Sequence, residues 1–285
     1  MIEIRDGTKD NLWDAYEDVS GPYIRRRDRF EVTERVDYAG EVVTPLDEEE
    51  ARILARKLKR RGATTVAVCF INSYANAENE KRMREILEEE IPEASVSTSS
   101  DILPEIFEHD RFNTAVANTV LGPLVSDYVK QLDDELSAGG YDNDLLLLHS
   151  GGGSMTPAMA KHFPVRLAAS GIAAGAIAAK HIAEQCGYQN AVGLDMGGTS
   201  TDISLIHDGE LRVTKQWGVE YGHPIVFPSI EVLTVGAGGG SLAHIDIAGA
   251  LRNGPQSAGA DPGPACYAQG GEEAELGGAH VLHLV

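Results

Sequence analysis

The stretch GLDMGGTSTDISLI, residues 193–206, sets an aspartate on each side of a Gly-Gly-Thr turn. Asp195 ends one apolar run and Asp202 begins the next, so the pattern reads strand, tight turn, strand. Glycine has no Cβ and tolerates positive φ, so Gly197 and Gly198 let the backbone approach a ligand closely. Thr199, Ser200 and Thr201 add hydroxyl donors beside the turn's amides. Such a turn suits an anion, and a phosphate chain with its magnesium ion is the guest this chemistry indicates. Taken alone, the same residues also describe a plain glycine-rich β-turn with solvated aspartates.

A second glycine cluster, VGAGGGSLAHID, follows the apolar run EVLTV. Gly238, Gly240 and Ala243 fit a loose dinucleotide-binding pattern, but that reading needs a helix next. SLAHIDIAG alternates like a strand instead, which argues against it. From its residues alone the cluster reads as a packed glycine turn. A third candidate is ASGIAAGAIAA, where Ser170 and Gly171 stand at the start of a helix whose free amides favour an anion. Ser170 reads as its cap, and the alanines of residues 172–185 imply close backbone packing. The histidines His109, His149, His207, His223 and His244 are scattered, with no His-Glu-x-x-His pair and no paired cysteines to suggest zinc. His149 ends an apolar run beside a glycine loop and could face a cleft, although core or surface placement is the commoner fate. No Gly-x-Ser-x-Gly elbow is present, which disfavours a serine-hydrolase mechanism.

The elements that must carry these motifs alternate between strand and helix. FEVTERVDY alternates as a half-buried strand, with a turn at Ala39 and Gly40 before a second strand. Asp47 caps a helix running to about Arg61, with acidic residues in its first turn and Gly62 as its stop. TTVAVCFI reads as a buried strand, and residues 76–91 as a helix ended by Pro92. This alternation predicts an α/β fold with a parallel or mixed sheet. Apolar spacing over residues 105–136 predicts two helices joined at Gly122 and Pro123. DLLLLHS reads as a buried strand, and DISLIHDGELRVTK as a hairpin turning at Asp208 and Gly209. A domain boundary is expected near Ser99, dividing the chain into residues 1–98 and 99–285.

Bulk properties narrow the partners. The chain of 285 residues carries 44 acidic and 24 basic side chains, a formal charge of −20. Nucleic acid and anionic membranes call for a basic footprint, so neither is expected as a partner. No apolar run reaches about 18 residues, so no membrane span is expected. The first residues lack the basic-then-apolar layout of a signal peptide. Cys69, Cys186 and Cys266 are odd in number and far apart, which suits reduced thiols and a cytoplasmic location.

Strand, Gly-Gly-Thr turn, strand, Asp-Gly turn and strand together resemble the phosphate-binding hairpin of a ribonuclease-H-like lobe, as in the acetate kinase, Hsp70 and actin superfamily. Within that group the chain resembles the hydantoinase A/5-oxoprolinase family, which includes related subunits of acetone and acetophenone carboxylases. Besides DMGGTSTD, the likeness rests on RDGTKDNLWDAYEDV, RRRDRFEVTERVDYAGEVVTPLDEEE, ASGIAAG, VLTVGAGGGSLA and SAGADPGPACY. The resemblance implies ATP and Mg²⁺ as cofactors. It implies ATP-dependent opening of a cyclic amide of hydantoin or 5-oxoproline type through phosphorylation of a carbonyl oxygen, with a hydantoinase B-type subunit as partner. A ketone carboxylase subunit is the nearest alternative. By the same likeness Asp195 takes a metal or base role and Asp202 a supporting one. Gly197, Gly198, Thr199, Ser200 and Thr201 hold phosphate, and Gly236, Gly238, Gly239, Gly240 and Ser241 form a nucleotide-proximal loop. Ser170 and Gly171 join the nucleotide set, although Ile172 stands where the family usually has proline. Family members also carry an earlier Asp-x-Gly-Gly-Thr hairpin that no residue before Asp195 supplies, and EEAELGGAHVLHLV departs from the family's continuation. The expectation is therefore an internal segment or truncated frame possessing one lobe of a two-lobe site, with a non-catalytic remnant as the further alternative.

Overall fold

The structure is a computed structural model that describes residues 2, 13–16, 21–220, 223–273, 275 and 276, with backbone alone over residues 216–220. Most of RDGTKDNLWDAYEDV and of the final EEAELGGAHVLHLV lies outside the described residues. In chain order the first elements are β1 (Arg35–Val36), β2 (Val42–Thr44), α1 (Glu48–Arg60), β3 (Thr65–Val68), α2 (Glu78–Glu90), β4 (Ser95–Thr98), α3 (Ser99–Ile102) and α4 (Glu108–Ala138). Then come β5 (Leu147–Leu148), β6 (Ser154–Met155), α5 (Pro157–His162), α6 (Ser170–Gln185), β7 (Ala191–Met196), β8 (Thr201–His207) and β9 (Glu210–Leu211). The last are β10 (Val213–Glu220), β11 (His223–Ile230), β12 (Val232–Val235), β13 (Ser241–Ile245) and β14 (Leu251–Ser257). The chain is thus mixed α/β, as its alternating pattern predicts.

Two compact units form, one from residues 1–168 with 214–229 and the other from residues 169–213 with 230–285. Compactness therefore divides the chain after Ala168, a division by contact that differs from the sequence-based one near residue 99. The reason is that α4 packs on both β3 and β4, so the chain on either side of residue 99 shares one core. A strand pair, β10 with β11, returns to the first unit, where Ile225 and Phe227 pack with Val165 and the Val226 N–H donates to Thr114 Oγ1 at 2.9 Å.

In the first unit β3 and β4 pair in parallel, Thr65 opposite Ser95 through Val68 opposite Thr98. Asp47 caps α1 by accepting the Glu50 N–H, and Gly62 follows the helix at φ +70°, both as the sequence indicates. Ala51 and Ala55 of α1 meet Met83, Ile86 and Leu87 of α2 over Val68, forming one of the buried clusters of this unit. The expected long hairpin over residues 30–44 is shorter than its alternation suggests, since only β1 and β2 pair across the turn at Gly40. DLLLLHS is likewise paired only at Leu147 and Leu148, because its partner β6 is two residues long, and Leu146 is exposed.

The predicted break at Pro123 does not occur, and α4 runs unbroken through it. Proline inside a helix removes one hydrogen bond and costs about 3 kcal/mol. Burial offsets that cost on both sides: residues 111–116 are buried before it, and Val129 joins Met155 and Ala160 in a second cluster after it. A buried polar network also fixes the start of α4. Arg111 donates to the carbonyls of Glu105 and Phe70, both at 2.9 Å, while Glu80 accepts from the Phe70 N–H and Ser99 Oγ.

The second unit is built on an antiparallel sheet in the order β12-β8-β7, with β9 pairing β8. The turn from β8 to β9 has Asp208 at φ 52° and Gly209 at φ 74°, the left-handed pair that an Asp-Gly hairpin predicts. Helix α6 packs on this sheet. The sheet's alternate residues, Val192, Leu194, Met196, Leu205 and Leu233, are exposed. Strands β13 and β14 form a separate antiparallel pair, so the residues after the second glycine loop are a strand and no dinucleotide-binding helix follows it. Ala169 is the N-cap of α6 and Ser170 its first helical residue, with no side-chain cap, which corrects the capping role read from the sequence. Among the described residues no helix is long and apolar enough to cross a membrane.

Candidate functional site

The register of β7 and β8 settles where the two aspartates stand. Asp195 lies directly opposite Asp202, Met196 opposite Thr201, and residues 197–200 form the turn between them. Opposed residues of an antiparallel pair put their side chains on the same face, with Cα atoms about 4.5–5.5 Å apart. The carboxylates of Asp195 and Asp202 therefore share a face at the loop end of the sheet. β12 pairs with the other side of β8 and brings Thr234 opposite Asp202. Thr234 Oγ1 donates to Asp202 Oδ1 at 2.6 Å, which fixes Asp202 while leaving its second oxygen for another partner. Nothing in the sequence marks Thr234, because its role comes from a strand pairing across more than thirty positions.

Helix α6 runs antiparallel to β7 on the carboxylate face. A Cβ on Gly193 would stand 2.7 Å from the Ala179 Cβ, and one on Gly175 would stand 2.8 Å from Asp195 Oδ2. Four helical residues advance about 6 Å and two strand residues about 6.6 Å, so the two elements keep step. One more turn toward the helix start brings Ser170 and Gly171 level with the Gly197 turn. A cavity of about 290 Å³ lies between α6 and the sheet, bordered by Ile172, Gly175, Ala176, Asp195, Asp202 and Ser204. The three glycine-bearing segments of the second unit thus gather at one end of one sheet.

The hydrogen bonds of the two glycine loops separate their roles. In the first loop the Gly197 N–H donates to the Ser200 carbonyl at 2.9 Å. The amides of Gly198, Thr199 and Ser200 have no acceptor among the described residues. In the second loop Gly239 donates to the Gly197 carbonyl at 2.9 Å and Gly240 to the Gly198 carbonyl at 2.7 Å. Gly238 donates to Ser241 Oγ at 2.8 Å, and the Ser241 N–H returns to the Gly238 carbonyl at 3.0 Å. All four amides from Gly238 to Ser241 are therefore committed inside the protein, whereas the sequence reading has them offer donors to a nucleotide. The second loop serves as a buttress. It occupies the carbonyls of the first loop, and Thr201 Oγ1 adds a 2.5 Å bond back to the Ala237 carbonyl. Gly238 must be glycine for this contact, since a Cβ there would come within 2.6 Å of the Ser200 nitrogen and 2.7 Å of the Gly197 carbonyl oxygen. Gly236 lies beside Gly254 in the same packed region, its carbonyl 2.5 Å from where a Gly254 Cβ would stand.

His149 is placed in the first unit, where its Nδ1 accepts the Gly151 N–H at 3.0 Å within its own glycine turn. Burial, with the nearby Arg166 charge second, holds its pKa below the ordinary histidine value, so the ring stays neutral at pH 7. It closes a turn. Among the described residues no group of three or more His, Cys, Asp or Glu side chains gathers as a metal cluster. A magnesium ion usually keeps several waters and takes one or two carboxylates plus phosphate oxygens, so the Asp195 and Asp202 pair fits that ion without a third ligand.

Comparison with known proteins follows the same lines. Residues 111–282 match the model of the hydantoinase/oxoprolinase family, and residues 1–91 match that of the hydantoinase/oxoprolinase N-terminal region. An uncharacterized protein of Methanocaldococcus jannaschii is 37% identical over 99% of this chain and 43% of its own length. The acetophenone carboxylase gamma subunit of Aromatoleum aromaticum is 36% identical over 92% of this chain and 36% of its own. The crystal structure of ATP-dependent caprolactamase from Pseudomonas jessenii superposes with a TM-score of 0.82 at 31% identity, covering 97% of this chain and 40% of that one. The chain thus spans about two fifths of the length of these relatives. Since the family match takes in more than half of the 285 residues, and places the Asp195 hairpin and both glycine loops inside it, the chain belongs to the hydantoinase/oxoprolinase family.

Proposed function

We propose that the second unit is the opening of a ribonuclease-H-like nucleotide lobe, in an enzyme that spends ATP to open a cyclic amide of hydantoin or 5-oxoproline type. The enzyme works as an A-type subunit beside a B-type partner. The observation that carries the reading is the juxtaposition of two in-register carboxylates, Asp195 and Asp202, with three loop amides that have no acceptor among the described residues. When bound, MgATP supplies a phosphoryl group for the amide carbonyl oxygen, which prepares the carbon for attack by water. The residues of this chain position and neutralise charge, which is most of what phosphoryl transfer asks of a protein. The amides of Gly198, Thr199 and Ser200 hold phosphate oxygens, with the hydroxyls of Thr199 and Ser200 beside them. Asp195 offers a hard oxygen to the metal or orients the attacking group. Asp202, held by Thr234, supports it. The start of α6 at Ser170 and Gly171 adds the positive end of a helix at the same level.

A second reading follows from the acetophenone carboxylase relative: phosphorylation of an enolate oxygen before carboxylation of a ketone. Both use the same phosphate site and differ in the acceptor. Phosphate release from the enzyme, assembled with its partner subunit, is to be measured with hydantoin, with 5-oxoproline, and with acetone or acetophenone plus bicarbonate. Release with a ring substrate is expected, and release confined to the ketones would replace the first reading by the second. Asp195→Asn keeps the shape and removes the charge, and is expected to lower turnover roughly 10²-fold or more. Asp202→Asn is expected to do less. Near-parental turnover with unchanged magnesium dependence in Asp195→Asn would remove the site assignment altogether.

A further inference from the structure

Helix α6 has a glycine in its interior, where glycine costs about 1 kcal/mol relative to alanine. Its neighbours in the same helix are alanines, so the sequence uses alanine freely here and withholds it at residue 175. The backbone gives no reason. Gly175 is helical and does not occupy the left-handed region. The surroundings do: outside the helix's own backbone, the three atoms nearest to a Cβ built on Gly175 all belong to Asp195, with Oδ2 at 2.8 Å, Cγ at 3.7 Å and Cβ at 3.8 Å, and only Oδ2 is closer than ordinary van der Waals contact. Two turns of strand-and-helix contact meet at this point, and at the other one the obstacles differ. A Cβ on Gly193 would collide with Ser204 Oγ and with the Ala179 Cβ, so Gly193 serves the packing of α6 on the sheet. Gly175 serves one carboxylate.

We propose that Gly175 is a positioning residue for Asp195: the missing methyl group lets the carboxylate lie against α6 at the rotamer that faces Asp202 and the phosphate loop. The inference rests on the reading of Asp195 as the metal-binding or orienting carboxylate. A methyl group at residue 175 meets the end of an exposed, rotatable side chain, so the fold accommodates it by turning Asp195 away. Stability and catalysis then move in opposite directions. This separates a positioning role from a structural one, in which both would fall together.

The test uses the enzyme assembled with its partner subunit. Gly175→Ala is expected to unfold at the same temperature as the parent or higher when free of ligand, because it gains helix propensity. Its kcat is expected to fall roughly 10- to 10²-fold, the scale of a misplaced reacting group, with KM for the ring substrate unchanged. The half-saturating magnesium concentration should rise. In the Asp195→Asn background, Gly175→Ala should cost little further turnover, since both act through one carboxylate. Additive losses in that cycle, or a Gly175→Ala enzyme with parental kcat, would overturn the proposal. If Asp195→Asn itself leaves turnover intact, the site reading fails and not the packing argument. Should Gly175→Ala lower the unfolding temperature, the double variant Gly175→Ala/Asp195→Ala must regain the temperature of Asp195→Ala alone, because it removes the Oδ2 that stands 2.8 Å from the added methyl and leaves the Asp195 Cβ at an ordinary 3.8 Å. A double variant that stays destabilised would refute the assignment equally.

Discussion

The two glycine-rich loops of the second unit have nearly the same composition and opposite hydrogen-bond budgets. Residues 197–200 leave three successive amides without an acceptor among the described residues, whereas the amides of Gly238, Gly239, Gly240 and Ser241 are all taken. A β-turn ordinarily returns its fourth N–H to its first carbonyl. In the first loop that carbonyl, Gly197, accepts from Gly239 instead. The second loop therefore fixes the conformation in which the first keeps its donors open. Glycine is needed in the two places for different reasons: a ligand must come close to one loop, while the other must itself come close to backbone. A glycine cluster in a sequence does not announce which of these it does.

The contrast is broken most severely at Gly238. A Cβ there would meet three backbone atoms, the Ser200 nitrogen, the Gly197 oxygen and the Gly198 carbon, between 2.6 and 2.7 Å away. Backbone cannot rotate aside as a side chain does. Gly238→Ala is expected to destabilise the second unit by about 3 kcal/mol, the upper part of the range for overpacking. Urea denaturation followed by a probe in this unit measures it. A loss below about 1 kcal/mol would mean that the two loops are not rigidly braced, and the buttress role would fall with it.

Local chemistry made much of this site legible before any pairing was known. The Asp195 hairpin, the Asp-Gly turn at residue 208 and the strand after the second glycine loop all follow from periodicity and turn residues, whose causes are local. Asp47 and Gly62 mark the ends of α1 for the same reason. Sequence and structure part where tertiary contacts decide. Pro123 ought to end a helix, but burial on both sides carries α4 through it. Ser170 is a favourable cap residue, yet the chain enters α6 one residue earlier. The amides of Gly239 and Gly240 are donors by composition, and only their pairing with the first loop shows them to be occupied, while Gly238 is satisfied by Ser241 of its own loop. Thr234 is invisible for the same reason. Gly175 does leave a local mark, a glycine in the interior of an alanine-rich helix.

A milder disturbance removes one strut between the loops and leaves the glycines alone. Thr201 is buried and its Oγ1 donates to the Ala237 carbonyl at 2.5 Å. Thr201→Val keeps the branched shape suited to β8 but takes away the donor, leaving the Ala237 carbonyl short of a partner. A cost of about 1 kcal/mol is expected from thermal or urea unfolding. Nucleotide affinity should change by less than stability does, because the strut lies on the packed side of the first loop. A larger loss of affinity than of stability would place the Thr201 hydroxyl in direct contact with the nucleotide.

The smallest expected effect on folding sharpens the contrast most. A Cβ on Gly198 would have nothing within 4 Å, and its φ lies outside the left-handed region, so alanine meets neither a clash nor backbone strain there. Its carbonyl side is held by Gly240, while its Cα side is open. Gly198→Ala is therefore expected to alter unfolding free energy by no more than about 0.5 kcal/mol, the usual range for a surface substitution away from special features. If the open amides of residues 198–200 hold phosphate as proposed, the same methyl group stands where the phosphate oxygens approach. ATP affinity, measured by calorimetry on the assembled enzyme, should then fall roughly 10-fold, a penalty of about 1.4 kcal/mol. Gly238→Ala and Gly198→Ala thus pull apart: one glycine is required by the protein's own backbone, and the other only by what binds to it. A Gly198→Ala protein that keeps both its stability and its ATP affinity would show that the first loop, for all its open donors, is a turn and nothing more.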